Sequence, residues 1–260
     1  MIYMTGDCHG GFQRFTKRHR AAFGFTEEDY IIICGDFGLL WAKNRELEYN
    51  LSWLSTLPFT ILWVQGNHEN YDMIAEYPVE VWNGGRARHI VRDKIILLER
   101  GQVFQIEGRS FFTFGGASSH DVQGGILDRD SPSYDSDRRR AVRQGLPYRV
   151  RHVSWWEQEL PDELELQEGR DNLEKAGYKV DYVVSHCLSG SMQERLSQYF
   201  GGAGYGSIVY ERDVLTDYFD ELESRMRFRH WFCGHYHVNL ELDKKHTVLY
   251  EDIVPLTGVL

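Results

Sequence analysis

Tyr30-Ile31-Ile32-Ile33-Cys34 runs directly into Gly35-Asp36. A β-branched apolar run of this length, closed by glycine, reads as a buried strand whose far end presents a carboxylate. The same grammar occurs on either side. Residues 2–6 read as a short strand leading to Asp7-Cys8-His9, and residues 60–65 as one leading to Gly66-Asn67-His68-Glu69. Between these strands, residues 10–22 read as a helix. So do residues 44–56, where Leu47, Leu51 and Leu54 share a face and Pro58 lies beyond the end. Strands alternating with helices predict βαβ units and a parallel central sheet, hence an α/β fold.

Further along, the pattern changes. Residues 94–98, 102–106 and 110–114 read as short strands split by Glu99-Arg100-Gly101 and Gly108-Arg109, which predicts an antiparallel meander. Residues 118–151 lose periodicity and are rich in Asp, Arg, Gly and Ser, with Pro132 and Pro147. An irregular stretch of that length is expected to be a functional loop or a mobile flap. Alternation then resumes. Residues 155–176 read as mostly helical, with breaks expected at Pro161 and Gly169. A strand over 180–185 leads to His186, a helix spans 212–225, and a strand over 229–233 leads to Gly234-His235-Tyr236-His237. Residues 238–242 and 246–250 read as a terminal hairpin around Asp243-Lys244. With no repeat or low-complexity linker, a single domain over 1–260 is expected, with the insertion at about 118–151.

Composition narrows the function. The chain carries 29 Lys+Arg against 39 Asp+Glu, a net charge of −10, which disfavours nucleic-acid phosphates on average. A content of 42% hydrophobic and 14% aromatic residues excludes a disordered chain. No apolar run approaches the roughly 18 residues needed to cross a bilayer. The first residues lack the basic and apolar regions of a secretory signal. A cytoplasmic protein with no membrane partner is expected. Cys8, Cys34, Cys187 and Cys233 show no CxxC spacing, so they read as reduced thiols that fill strand ends rather than a zinc site.

Five short motifs thus fall at the carboxyl ends of expected strands: Asp7-Cys8-His9, Gly35-Asp36, Gly66-Asn67-His68-Glu69, Ser185-His186 and Gly234-His235-Tyr236-His237. In an open α/β sheet that is where ligands bind. Imidazole nitrogens and carboxylate oxygens suit borderline first-row metals, and a carboxylate can span two cations with its two oxygens. Two cations about 3.5–4 Å apart make hydroxide available at neutral pH and neutralise charge on a phosphoryl oxygen. Glycine before Asp36, Asn67 and His235 lets backbone approach such a site closely. An Asp-x-His triplet alone is uninformative, whereas Gly-Asn-His-Glu arises by chance in of order one chain in several hundred.

The ordered set D-x-H, G-D, G-N-H-E, H and G-H-x-H resembles the calcineurin-like metallophosphoesterase superfamily, from Asp7 to His237. The resemblance implies a four-layer α/β/β/α sandwich of two packed sheets. It also implies that Asp7, His9 and His237 bind one metal and that Asn67, His186 and His235 bind a second, with Asp36 bridging. His68 is then left off the metals, facing the substrate, to steady the phosphoryl group or protonate the leaving oxygen. The implied reaction is in-line attack of a metal-bridging hydroxide on a phosphomonoester or phosphodiester. Mn²⁺, Fe and Zn²⁺ all suit the ligands, Mn²⁺ being the first guess. The substrate expected is a small phosphorylated molecule, nucleotides included.

The chain departs from the superfamily's protein phosphatases, which continue G-D-x-x-D-R-G. Here Gly35-Asp36 is followed by Phe37-Gly38-Leu39-Leu40-Trp41, with neither the second Asp nor the Arg. His68 therefore needs another orienting partner, with Glu69 and Asp72 as candidates, and phosphate must be held by the metals or by an Arg elsewhere. Arg138, Arg139, Arg140, Arg143, Arg149 and Arg151 read as a solvated face balanced by nearby Asp residues, with a substrate-binding role as the sharper alternative. Arg86, Arg88 and Arg92 carry the same ambiguity. His19, His89, His120, His152, His230 and His246 read as surface or hydrogen-bonded structural residues, His120 being the one most worth testing. Trp53, Trp63 and Trp82 read as core. Two other functions make different demands on the sequence. A nuclease would need a continuous basic groove, and an inactive protein-binding scaffold would have lost metal ligands or His68, none of which is missing.

Overall fold

The computed structural model describes residues 1–20, 22–202 and 209–256. Its strands, in chain order, are β1 (Ile2–Thr5), β2 (Tyr30–Ile33), β3 (Thr60–Trp63), β4 (Val79–Trp82), β5 (Gly85–Val91), β6 (Ile95–Leu98), β7 (Gln102–Ile106), β8 (Arg109–Phe114), β9 (Ile126–Leu127), β10 (Arg149–Val150), β11 (Tyr182–Ser185), β12 (His230–Cys233), β13 (Leu240–Glu241), β14 (His246–Val248) and β15 (Val254–Pro255). One sheet has seven strands in the order β15-β1-β2-β3-β6-β5-β4, and a second has six in the order β13-β14-β12-β11-β8-β7. β1, β2, β3 and β6 run parallel, as do β8, β11, β12 and β14.

The continuous apolar runs follow from burial on both faces. Ile2, Met4, Ile32, Cys34, Leu62 and Val64 point between the sheets, against Phe104, Phe111, Tyr182, Val184 and Phe232. The alternate residues Tyr3, Ile31, Ile33, Ile61 and Trp63 point outward, against Leu47 and Leu54 of helix Arg45–Ser55 and Met73 and Ile74 of helix Tyr71–Ala75. Beyond the second sheet, Phe112, Phe114, Val183 and Trp231 pack under helices Glu163–Lys175 and Val214–Arg225. The result is the expected α/β/β/α sandwich. Each fully buried side chain of this size contributes roughly 1.5–3 kcal/mol, so all three packed layers contribute substantially to stability. Trp63 is buried, and Trp53 and Trp82 pack against the core, as expected.

Helix starts follow sequence chemistry. Asn44 Oδ1 accepts the Leu47 N–H at 2.9 Å, and Asp162 and Asp213 each close a capping box. The terminal hairpin forms, with β13 antiparallel to β14. Among the described residues no helix is long and apolar enough to cross a membrane.

Several expectations are corrected. Residues 94–114 are not one meander: β6 belongs to the first sheet, whereas β7 and β8 form a hairpin in the second. The crossover is Glu99-Arg100-Gly101. Its buried Arg100 donates to Gly115 O at 2.8 Å, Tyr71 Oη at 3.0 Å and Gln158 O at 2.6 Å, tying the layers together. The span 118–151 is not wholly irregular, since it holds helix Tyr134–Gln144 and the parallel pair β9–β10. Over 10–22 only a 3₁₀ turn at Gln13–Phe15 and a short helix at Lys17–Arg20 form, and Ala21 lies outside the described residues. The chain breaks before Pro161, but helix Glu163–Lys175 runs straight through Gly169, where the missing side chain admits Tyr218 and Gly101. The β4–β5 hairpin around Asn83-Gly84, both at positive φ, helix Gly190–Gly202 and strand β15 were not expected.

Candidate metal centre

Parallel strands bring their carboxyl ends to one rim, so the loops after β1, β2, β3, β11 and β12 meet across the two sheets. Main-chain bonds lock that meeting. Cys8 N–H and His9 N–H both donate to Asp36 O, at 2.9 and 2.8 Å, and Gly234 N–H donates to His186 O at 3.0 Å. His9, Asp36, His235 and His237 all take positive φ, at 47°, 48°, 71° and 50°. For non-glycine residues this conformation costs of order 1–2 kcal/mol each, and it persists only where surrounding structure imposes it. Two glycines allow the close approach. A Cβ on Gly66 would lie 2.0 Å from Asp36 Oδ1, and one on Gly234 2.2 Å from Asp7 Oδ1.

Two sets of donor atoms result. In the first, Asp7 Oδ2 is buried with no hydrogen-bond partner among the described residues. His237 Nε2 stands 3.1 Å from it, out of hydrogen-bonding alignment, and His9 Nε2 stands 3.7 Å away. The two imidazole nitrogens are 3.0 Å apart. In the second set, His186 Nδ1–H donates to Cys34 O at 2.8 Å, which leaves the Nε2 lone pair facing inward. That nitrogen meets Asn67 Oδ1 at 3.2 Å and Asp36 Oδ2 at 3.4 Å. Three acceptors turned on one another require a proton or a cation between them. Asp36 joins the sets through a single oxygen rather than two. Its Oδ1 accepts the His68 N–H at 2.7 Å, while Oδ2 lies 3.7 Å from His9 Nδ1 and 3.4 Å from His186 Nε2. The orphaned Asp7 oxygen and the converging acceptors fit divalent cations.

Charge follows the same geometry. Burial alone would lower the His186 pKa, but Asp36 beside it holds it at about 9. Conversely, burial opposes ionisation of Asp36, yet the His186 ring keeps its carboxyl well below the usual carboxylate range. Without a metal, a proton on His186 neutralises the pair. Burial keeps His9, His68 and His235 below the ordinary histidine range.

Asp7, His9 and His237 have ligand atoms within 4.8 Å of one another, as do Asp7, Asp36 and His186, and also His9, Asp36 and His68. His68 is thus brought as near to the donors as the expected ligands are. His235 is the expected histidine that none of these groups includes. Its N–H donates to Asp7 Oδ1 at 2.8 Å, its ring centroid lies 4.9 Å from that of His186, and its Nε2 meets His120 Nε2 at 2.8 Å. His120 therefore belongs to the rim of the site rather than to the structural histidines.

Neither expected partner orients His68. Glu69 accepts the Phe37 and Gly38 N–H groups at 2.7 and 3.2 Å, and Asp72 serves His152 and Trp156. Instead Arg149 Nη2 lies 3.2 Å from each His68 ring nitrogen. Arg149 is buried, donating Nε–H to Asp121 at 2.7 Å and Nη1–H to Ser154 O at 3.1 Å. This separates it from Arg138, Arg139, Arg140 and Arg143, which stay exposed on a helix face, as the balanced-charge reading holds. Arg86, Arg88 and Arg92 pair with Glu168, Glu99 and Glu80. One signal could have located Ser119 and His120. β8 ends in Gly115-Gly116, the strand-then-glycine pattern of the other site loops, and it runs parallel to β11.

Ligand sets of imidazole and carboxylate at the strand ends of such a sandwich define the class, a metal-dependent hydrolase of phosphoric esters. The family model described as calcineurin-like phosphoesterase matches residues 1–239, so the chain belongs to the calcineurin-like phosphoesterases. Among solved structures it is similar to the phosphopantetheinyl hydrolase PptH from Mycobacterium tuberculosis. The identity is 14%, over 96% of this chain and 87% of that one, with a TM-score of 0.42. No curated protein sequence matches it.

Proposed function

We propose that the protein is a two-metal phosphoesterase that hydrolyses small phosphomonoesters or phosphodiesters, nucleotides included, by in-line displacement at phosphorus. The observation that carries this reading is Asp36 Oδ2, one buried oxygen facing both ligand sets. Asp7, His9 and His237 would hold one cation, and Asn67, His186 and His235 the other. When bound, the cations supply Lewis acidity that lowers the pKa of an attacking water and screens charge on phosphoryl oxygens. The chain's own groups do the rest. His68, beside both sets, steadies the phosphoryl group or hands a proton to the leaving oxygen. Arg149 takes the place of the absent G-D-x-x-D-R-G arginine. A permanently charged fork, held from behind by Asp121 and Ser154, presents N–H donors next to His68. A cytoplasmic setting suits the four buried free thiols.

The test is a panel of monoester, diester, cyclic-nucleotide and nucleic-acid substrates on protein reconstituted with Mn²⁺, Fe or Zn²⁺. Metal-dependent turnover of small esters is expected, Mn²⁺ being the first ion to try. Faster turnover of nucleic acid would make the protein a nuclease. Absence of turnover on every ester, with both ions bound, would overturn the reading.

A further inference from the structure

We infer that Ser119 and Glu159 form a buried relay that fixes the Asn67 amide with its oxygen turned toward His186 and Asp36, making both positioning residues for capture of the second cation. The inference rests on the metal-centre reading above. Asn67 Nδ2–H donates to Ser119 Oγ at 3.3 Å, and Ser119 Oγ–H donates to Glu159 Oε2 at 2.7 Å. All three residues are buried, Glu159 at 2% exposure.

The direction of the relay decides the orientation. A serine hydroxyl carries one proton. Burial pushes the Glu159 carboxyl up to about 8, so at neutral pH the relay needs the carboxyl's own proton on Oε1, with Oε2 accepting from Ser119. The hydroxyl then leaves only lone pairs for Asn67, and the amide offers its N–H on that side and its carbonyl oxygen on the other. That oxygen is the atom 3.2 Å from His186 Nε2. A flipped amide would aim N–H donors at the place where a cation has to sit. Asparagine's two ends are alike in size, so packing alone does not choose between them, whereas a hydrogen bond does.

Ser119 Oγ–H donates to Glu159 Oε2, the Trp156 backbone and the Arg149 charge also act on the carboxyl, and among the described residues Oε1 has no hydrogen-bond partner. Its 3₁₀ turn at Glu157–Glu159 is held by main-chain bonds, and its carbonyl accepts from Arg100 at 3.2 Å. Burying a carboxyl with so few partners is costly. Anchoring the residue that orients a ligand offsets that cost, because outer partners of metal ligands tune affinity. The loop after β8 and the turn before helix Glu163–Lys175 thereby join the metal centre without touching the ion.

The experiment is calorimetric titration of metal-free protein with Mn²⁺, with thermal melting alongside. Wild type should take up two ions. Ser119→Ala and Glu159→Leu should weaken one ion by about 10- to 100-fold and leave the other unchanged. Ser119→Thr, which keeps the hydroxyl, and Glu159→Gln, which keeps an acceptor, should restore most of that affinity. Unchanged affinity in Ser119→Ala and Glu159→Leu overturns the relay. So does an equal loss of both ions that follows a drop in melting temperature, or a failure of both conservative variants to rescue. Wild type that takes up fewer than two ions sinks the metal-centre reading itself, and the relay with it.

Discussion

Asp36 has different work on each carboxylate oxygen. Oδ1 anchors the backbone of the loop carrying Asn67 and His68, and Oδ2 faces both ligand sets. Asp36→Asn keeps the volume but removes the shared charge. It should lower turnover by at least about 100-fold and deplete bound metal, as read by elemental analysis. Near-normal metal content would contradict the assignment. Arg149 and His68 act on substrate in the proposed mechanism, so their variants should separate from those of the ligands. Arg149→Met and His68→Ala should each cost roughly 100-fold in kcat/KM with both ions retained. Parallel loss of metal in His68→Ala would make His68 a ligand, a role its distance to His9 and Asp36 allows. The seven residues expected as ligands could be named from the sequence because motif order is local information. The partner of His68 was not, since Arg149 is 81 positions away and reaches it only through folding.

Each element delivers its side chain through a loop that ordinary residues resist. Gly66→Ala would press a Cβ against Asp36 Oδ1 at 2.0 Å and Asp36 N at 2.4 Å. It should destabilise the protein by about 1–3 kcal/mol and abolish metal uptake. A thermal melt and metal content like those of wild type would show that the close approach has no structural role. At this scale sequence reading succeeded where periodicity and closing residues agreed, as at Asn44 and helix Arg45–Ser55. It failed at helix Tyr134–Gln144 because only Ala141 is buried there, so no apolar stripe marks the helix. The helix is ended by Gly145 at φ 64°. It also failed at β6 and β7, because neighbouring strand-like runs carry no label for the sheet they join.

Across the whole molecule, the metal-free centre ties stability to pH. The folded-state pKa of His186, about 9, lies above that of a free histidine, roughly 6.5. Protonation therefore stabilises the metal-free fold fully below about pH 6.5, and this contribution is lost as pH rises through about 9. In the proposed two-metal centre, a cation held by His186 would displace that proton. The melting temperature of metal-free protein should thus fall from pH 6.5 to 9 relative to metal-loaded protein, and Mn²⁺ loading at pH 7 should release protons. Loading without proton release, measured by calorimetry in buffers of different ionisation enthalpy, would place the charge elsewhere. The sequence by itself determined the α/β class with parallel strands and named the residues expected as ligands, while the two-sheet sandwich was expected only from the family resemblance. Doubly buried strands need unbroken apolar runs, and metal-binding chemistry needs particular side chains at their ends. Only the tertiary structure decided which strands share a sheet, that Asp36 faces both sets with one oxygen, and that Arg149, His120, Ser119 and Glu159 close around the centre. Those contacts join segments distant along the chain, and the forces that select them arise only once both sheets are packed.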